Sequence, residues 1–178
     1  MALTTAKKAA IKQAITSMID KLEHTQTAVA RRIYQVFQSS YKIEAALIGV
    51  TDFPPLSRTV SDIEQAHTQF YGFYEHEHEH EHEHEHEHEH ELAAVVEITY
   101  RESVLHINSL TVSPDHFRKG IAGKLLAFLF DTFDFHQAIV ETAVVNTPAI
   151  ELYKKAGFVE VKQYTPSHGI PKTVMSTQ

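Results

Sequence analysis

The chain has 178 residues, 43 % hydrophobic and 22 % charged, which fits one globular domain large enough to bury a substantial core. It holds no cysteine, which excludes disulfide scaffolds, zinc–thiolate centres and a cysteine nucleophile. The net charge of -7 belongs to one segment: residues 75–91 alternate nine Glu with eight His, and elsewhere 14 acidic residues face 16 Lys and Arg, leaving the body near +2. No basic run marks a nucleic-acid binder, and no stretch approaches the roughly 18 apolar residues of a membrane span. The first twenty residues lack the compact apolar core and cleavage site of a secretory signal, so the expected setting is cytoplasmic.

Taken in order, Ile11, Ala14, Ile15, Met18, Ile19 and Leu22 form an apolar stripe at helical spacing, an extra helix within residues 1–24. A second helix follows Thr25 or Thr27 as cap, carries Val29, Ile33, Val36, Phe37 and Tyr41, runs to about Leu47 and ends at Gly49. Asp52-Phe53-Pro54-Pro55 breaks the chain into a loop. A short helix starts after Thr59 or Ser61, with Ser61–Glu64 resembling a capping box.

The period then changes. Phe70–Tyr74 is strand-like, and Leu92–Tyr100 is a β-branched run that reads as a strand buried on much of both faces. Val104–Val112 is a further strand whose inward parity switches from Leu105 and Ile107 to Leu110 and Val112. One extra residue near Asn108-Ser109, a β-bulge, explains the switch. A helix from about Lys119 presents Leu125, Leu126, Leu129, Phe130 and Phe133, and Ala138–Val145 is a strand. Thr147 caps the next helix, Pro148 sits at its first position and Gly157 stops it. Phe158–Tyr164 and Lys172–Met175 close the chain as strands. The expected fold is a single mixed α/β (α+β) domain, a largely antiparallel sheet flanked by helices, with residues 75–91 inserted in a hairpin.

Chemistry concentrates where the bulged strand runs through Ser113-Pro114-Asp115-His116-Phe117 into Arg118, Lys119, Gly120, Ile121, Ala122 and Gly123. A strand-to-helix turn of this kind points unbonded N–H groups outward, the glycines admit close approach, and Arg118 and Lys119 add charge. That is a pyrophosphate cradle, although an ordinary strand-to-helix turn shares these features. The segment Asn146-Thr147-Pro148-Ala149-Ile150-Glu151-Leu152-Tyr153-Lys154-Lys155-Ala156-Gly157-Phe158 begins 26 residues beyond Gly120.

Together the two segments resemble the GNAT superfamily of acyl-CoA-dependent N-acyltransferases. Val112 to Ala122 is similar to its V-x-P-x-x-x-x-x-G-x-G/A loop, and Asn146 to Phe158 to its N-x-x-A-x-x-L-Y-x-x-x-G-F motif. Phe117 stands where that family usually has Gln or Arg, with Arg118 one residue later as the expected phosphate contact. The family usually opens with a β-strand, whereas this chain opens with a helical pattern.

The resemblance implies transfer of an acetyl group from acetyl-CoA to a primary amine by direct attack in a ternary complex, with no metal required. The backbone of Leu110, Thr111 and Val112 is then expected to pair with the pantetheine arm, and Arg118 to Gly123 to hold the pyrophosphate. Asn146 is expected to bond the pantetheine near the thioester. Tyr153 is the expected general acid for the departing thiolate; the other reading is a buried ring with a wet hydroxyl. A backbone N–H freed by the bulge near Ser109-Leu110 is the candidate oxyanion donor. His106 is the candidate base, two residues from Asn108 on one face, against a locally satisfied strand residue; Glu97 and Glu141 are lesser candidates. His116 reads as a solvated turn residue beside the loop, or a CoA contact. Val50–Thr59 reads as the acceptor wall or as a connector covering the core under Phe53 and Leu56. The acceptor is a small molecule or a peptide, with no nucleic acid or membrane, and dimers being common in the family, a homodimer is the oligomeric expectation. The alternatives are a non-catalytic acyl-CoA sensor and a His-rich metal-binding protein.

The Glu-His tract has three readings: a low-complexity hairpin insert, a metal-capturing segment through its imidazoles, and a pH-responsive acidic arm. None makes the tract catalytic.

Overall fold

A computed structural model describes residues 4–75 and 91–178. Helix α1, Thr5–Thr16, begins at Thr4, whose hydroxyl accepts the Lys7 N–H. The apolar stripe predicts a helix through Leu22, but the helix stops sooner. The Thr16 and Ser17 hydroxyls turn back onto the Lys12 and Ala14 carbonyls at 3.0 and 2.7 Å, a local alternative to further helix. Ile19–Lys21 is instead strand β1, antiparallel to β2, Gln69–Glu75. Ile19 and Leu22 thereby reach opposite faces of the sheet, which a shared helical stripe does not allow. The opening strand that the sequence left open is present.

Helix α2, Thr27–Ile48, starts from Gln26 with no side-chain cap, so neither expected Thr serves. It buries Ala30, Ile33, Val36, Phe37, Tyr41 and Ala45 and ends at Gly49 in the left-handed region, φ 73°. A single 3-10 turn, Pro54–Ser57, leads to the short helix α3, Val60–Glu64. Its capping box is Thr59 with Asp62, two positions earlier than the Ser61–Glu64 pairing, because Asp62 reaches the Thr59 N–H at 2.7 Å.

Strands β3, Glu91–Arg101, and β4, Val104–Val112, follow, then α4, Ile121–Thr132, β5, Gln137–Ala143, α5, Thr147–Lys155, β6, Val159–Tyr164, and β7, Lys172–Ser176. The sheet order is β1-β2-β3-β4-β5-β7-β6, and only β4 and β5 run parallel. The cap of α5 is Asn146 rather than Thr147, with its Oδ1 accepting the Ala149 N–H at 3.3 Å.

Each face of the sheet carries its own core. On one, Phe73, Ile98, Leu105 and Ile107 pack under Leu125, Leu126 and Leu129 of α4 and Tyr153 of α5. On the other, Phe70 and Val95 pack under Ile33, Phe37 and Tyr41 of α2. β3 serves both, which is why its sequence is apolar almost throughout. Among the described residues no helix is long and apolar enough to cross a membrane. The three readings of the Glu-His tract concern residues 76–90 and lie outside the described residues; its end residues Glu75 and Glu91 pair with each other across β2 and β3.

Candidate active site

The site follows from where two neighbouring strands part. β4 and β5 pair over Val104–Ile107 with Gln137–Val140, and the ladder ends there. On its other side, β4 places Ile107 opposite Ile98 and Ser109 opposite Glu97, so Asn108 is the extra residue of the expected bulge. Beyond it β4 continues with β3 while β5 continues with β7. A cavity of about 230 Å³ opens in the fork, lined among others by Ser109 and Leu110 of β4, Tyr41 and Glu44 of α2, and Asn146 and Tyr153 of α5. Phe53, Pro54 and Pro55 of the loop Val50–Thr59 form part of its wall; Phe53 is also buried against Tyr41, with ring centroids 5.8 Å apart.

Of the strand residues expected along a pantetheine arm, Leu110 and Val112 are half-buried and Thr111 is buried, its hydroxyl donating to the Val95 carbonyl at 3.3 Å. β4 then passes through the 3-10 turn Pro114–His116 into α4. Arg118 and Gly120 are both left-handed, at φ 63° and 72°, and Gly120 caps α4 without any side-chain bond to its first turn. A Cβ built at Gly120 or Gly123 would meet no atom within 4 Å. The start of α4 thus has room beside its glycines, with Arg118 and Lys119 exposed there and Lys119 paired with Glu75. Ile121 is buried as the helix's anchor, and Ala122 is half-buried.

His116 differs from its expected solvated state. It is buried, its Nδ1 contacts Glu75, and its Nε2 lies 3.2 Å from Glu91. Lys119 Nζ joins the same group, 2.7 Å from Glu75 Oε2, and holds the Glu75 carboxyl below the usual carboxylate range together with His116. The two ends of the Glu-His tract are therefore fixed beside the cradle.

The remaining expected residues separate. Tyr153 is buried in the fork, with burial first and then Glu44 and Tyr41 pushing its phenol above the ordinary tyrosine value. Asn146 sits two helical turns before it, and its Nδ2 donates to Glu44 Oε1 at 3.0 Å. His106 is exposed on β4 and does not line the cavity, because the fork opens only past Ile107. Glu97 is buried and taken up by a bidentate pair with Arg58, at 2.6 and 2.9 Å, with Thr68 Oγ1 at 2.7 Å. Glu141 stands at the cavity wall, accepting the Tyr164 hydroxyl at 2.6 Å.

Sequence reasoning missed three partners. Tyr41, counted as core, donates its hydroxyl to Ser109 Oγ at 2.8 Å, and Ser109 Oγ donates in turn to Glu97 at 3.3 Å. Arg58 pins the Val50–Thr59 loop to the strand beneath the bulge, its guanidinium 5.6 Å from the rings of both Phe37 and Phe70. Glu44 is a carboxylate one turn from Tyr41 on a stripe that also holds Ala45, and an acid on an apolar face was the available signal. Burial raises its carboxyl pKa, while Asn146 and Lys172 oppose that.

Residues 45–158 match the model of the Acetyltransferase (GNAT) family. The UPF0157 protein YqkA of Bacillus subtilis is 33% identical over 154 residues, which are 86% of this chain and 41% of that protein. The chain thus spans about two fifths of the length of the curated relative it matches. Among solved structures, it is similar in fold to the ribosomal-protein-S18-alanine N-acetyltransferase of Escherichia coli, with a TM-score of 0.64 at 18% identity over 89% of this chain and 91% of that one. It is likewise similar to the PaiA N-acetyltransferase of Thermoplasma acidophilum in complex with coenzyme A, with a TM-score of 0.66 at 14% identity over 90% and 97% of the two chains.

Proposed function

The chain belongs to the GNAT acetyltransferase family, and from that premise we propose that it moves an acetyl group from acetyl-CoA to the primary amine of a small molecule or peptide. The observation that carries this reading is the fork between β4 and β5, which joins a cavity holding Tyr153 and Asn146 to an uncapped helix start with open glycines. The match to a neighbour solved with coenzyme A supports the same ligand here.

In this reading the backbone of Leu110, Thr111 and Val112 pairs with the pantetheine arm as an added strand. The N–H groups of Gly120, Ile121, Ala122 and Gly123, with Arg118 and Lys119, hold the pyrophosphate. Asn146 orients the thioester end. The amine attacks the thioester carbonyl, a backbone N–H at the bulge near Ser109-Leu110 stabilises the oxyanion, and Tyr153 protonates the leaving sulfur. A phenol kept protonated by burial suits that last task. No metal takes part, and the setting is cytoplasmic.

Calorimetric titration with acetyl-CoA tests the first half; binding in the micromolar range is expected, and its absence overturns the reading. A screen of primary amines followed by thiol release tests the second half. Binding without turnover of any amine leaves a non-catalytic acyl-CoA-binding domain.

A further inference from the structure

We infer that Glu44 is the general base of this site, taking a proton from the acceptor's ammonium group where the fork between β4 and β5 opens. The inference rests on the acetyl-transfer reading above and adds a residue to it.

The amine reaches the site as R–NH3+ at neutral pH and has no lone pair until a proton leaves. A base must therefore line the cavity, keep a free oxygen and be held in place. Two carboxylates line the cavity, Glu44 and Glu141. Glu141 is exposed, and its Oε2 takes both the Tyr164 hydroxyl and, at 3.8 Å, Lys172, which leaves Oε1 without a hydrogen-bond donor among the described residues. Glu97, beneath the bulge, has both oxygens on Arg58. Of the two lining carboxylates, Glu44 is the half-buried one. Asn146 Nδ2 fixes Oε1 at 3.0 Å, and among the described residues Oε2 has no hydrogen-bond donor.

Asn146 also couples the base to the acid. It caps α5, and Tyr153 lies seven residues further along that helix, two turns on and on the same face. Glu44 and Tyr153 thus stand on α2 and α5 at either side of one cleft. The titratable groups facing Glu44 are Tyr41 on its own helix, Tyr153 on α5 and Lys172 on β7, with His168 and Glu141 on the same cavity wall. Burial makes Glu44 a stronger proton acceptor than an ordinary carboxylate, and its half-buried position leaves a route for the proton to solvent.

The step balances. The Glu44 carboxylate takes one proton from R–NH3+, and the freed lone pair forms the C–N bond at the thioester carbonyl. The C–S bond breaks, and the sulfur leaves with its electron pair and takes the Tyr153 hydroxyl proton. The nitrogen gives up its second proton, which restores Tyr153, and Glu44 passes its own proton to solvent. The sum is one amide, one free thiol and one proton released.

The test uses the full chain with acetyl-CoA and three probe amines, glycinamide, putrescine and tyramine, carrying the best forward. Glu44→Gln is expected to lower kcat at pH 7 by about 100-fold or more. The deficit should shrink as pH rises toward the amine's own pKa, where the lone pair is already free. Calorimetric CoA affinity should stay within about twofold, which 0.4 kcal/mol represents. Glu44→Asp, which keeps the carboxylate, should retain the acidic limb of the wild-type profile at a reduced rate. It decides the matter if Glu44→Gln fails to bind CoA. Wild-type kcat and acidic limb in Glu44→Gln, or in Glu44→Asp an unchanged rate, overturn the proposal. Loss of the limb in His106→Ala but not in Glu44→Gln does so as well. If the wild type binds CoA but turns over none of the three amines, the inference falls together with acetyl transfer; if it does not bind CoA, the cofactor assignment fails first.

Discussion

The Tyr41 hydroxyl donates to Ser109 Oγ at 2.8 Å, so helix α2 is tied to the bulged end of β4 by one hydrogen bond spanning 68 positions of chain. The two partners are not equivalent. Ser109→Ala leaves a buried phenol without its acceptor and is expected to cost about 1–3 kcal/mol. Tyr41→Phe removes the donor, and Ser109 can still donate to Glu97, so the loss should be smaller. Urea denaturation of both variants checks the order.

The Arg58–Glu97 pair carries a larger effect. Glu97 is 4% exposed, and Arg58→Met would leave its charge without the guanidinium in a buried setting. The expected loss is roughly 3–5 kcal/mol. The double variant Arg58→Met with Glu97→Met should recover most of it, since no unpaired charge remains. A denaturation midpoint in the single variant equal to wild type would show that solvent reaches Glu97.

Gly120 and Gly123 separate a backbone need from a ligand need. Gly120→Ala forces a side chain into the left-handed region and should cost about 1–2 kcal/mol. Gly123 lies in the first turn of α4 with ordinary helical geometry and open space around it, so Gly123→Ala should raise stability by up to about 1 kcal/mol. Both are expected to weaken CoA binding at least about tenfold, or 1.4 kcal/mol, because a methyl enters the cradle. Calorimetry beside thermal unfolding reads the two effects apart. Undiminished affinity in Gly123→Ala would remove that residue from the phosphate site.

Tyr153 should show in the pH profile. An acid must be protonated to act, so activity falls as pH rises through its pKa. Burial raises that pKa, which moves the alkaline limb of kcat above the ordinary tyrosine value of about 10. Tyr153→Phe should lower kcat by about 100-fold with little change in KM for acetyl-CoA. An unchanged kcat would leave the phenol as core packing against Phe158, whose ring centroid is 5.6 Å away.

Features encoded by neighbours in sequence were legible, and those created by distant pairing were not. The parity switch from Ile107 to Leu110 revealed the bulge, and the glycines and the Asn-to-Phe motif revealed the turn into α4 and helix α5. Ile19–Lys21 read as helix because three residues carry no period of their own; pairing with β2 makes them a strand. Glu44 stands on the apolar face of α2, but its partner Asn146 lies 102 positions away, so sequence spacing alone does not join them. His106 was placed correctly on β4, but strand parity cannot show that the fork begins one residue later. His116 is buried with Glu75 and Glu91, distant in sequence, beside its two ring nitrogens.

The pairing of Glu75 with Glu91 joins β2 to β3 at the two end residues of the repeat. Each Glu-His unit is encoded by six nucleotides, so the gain or loss of one unit during replication keeps the reading frame. The same junction offers protein engineers a place to splice a foreign peptide or a reporter, between two strand ends already paired at Glu75 and Glu91.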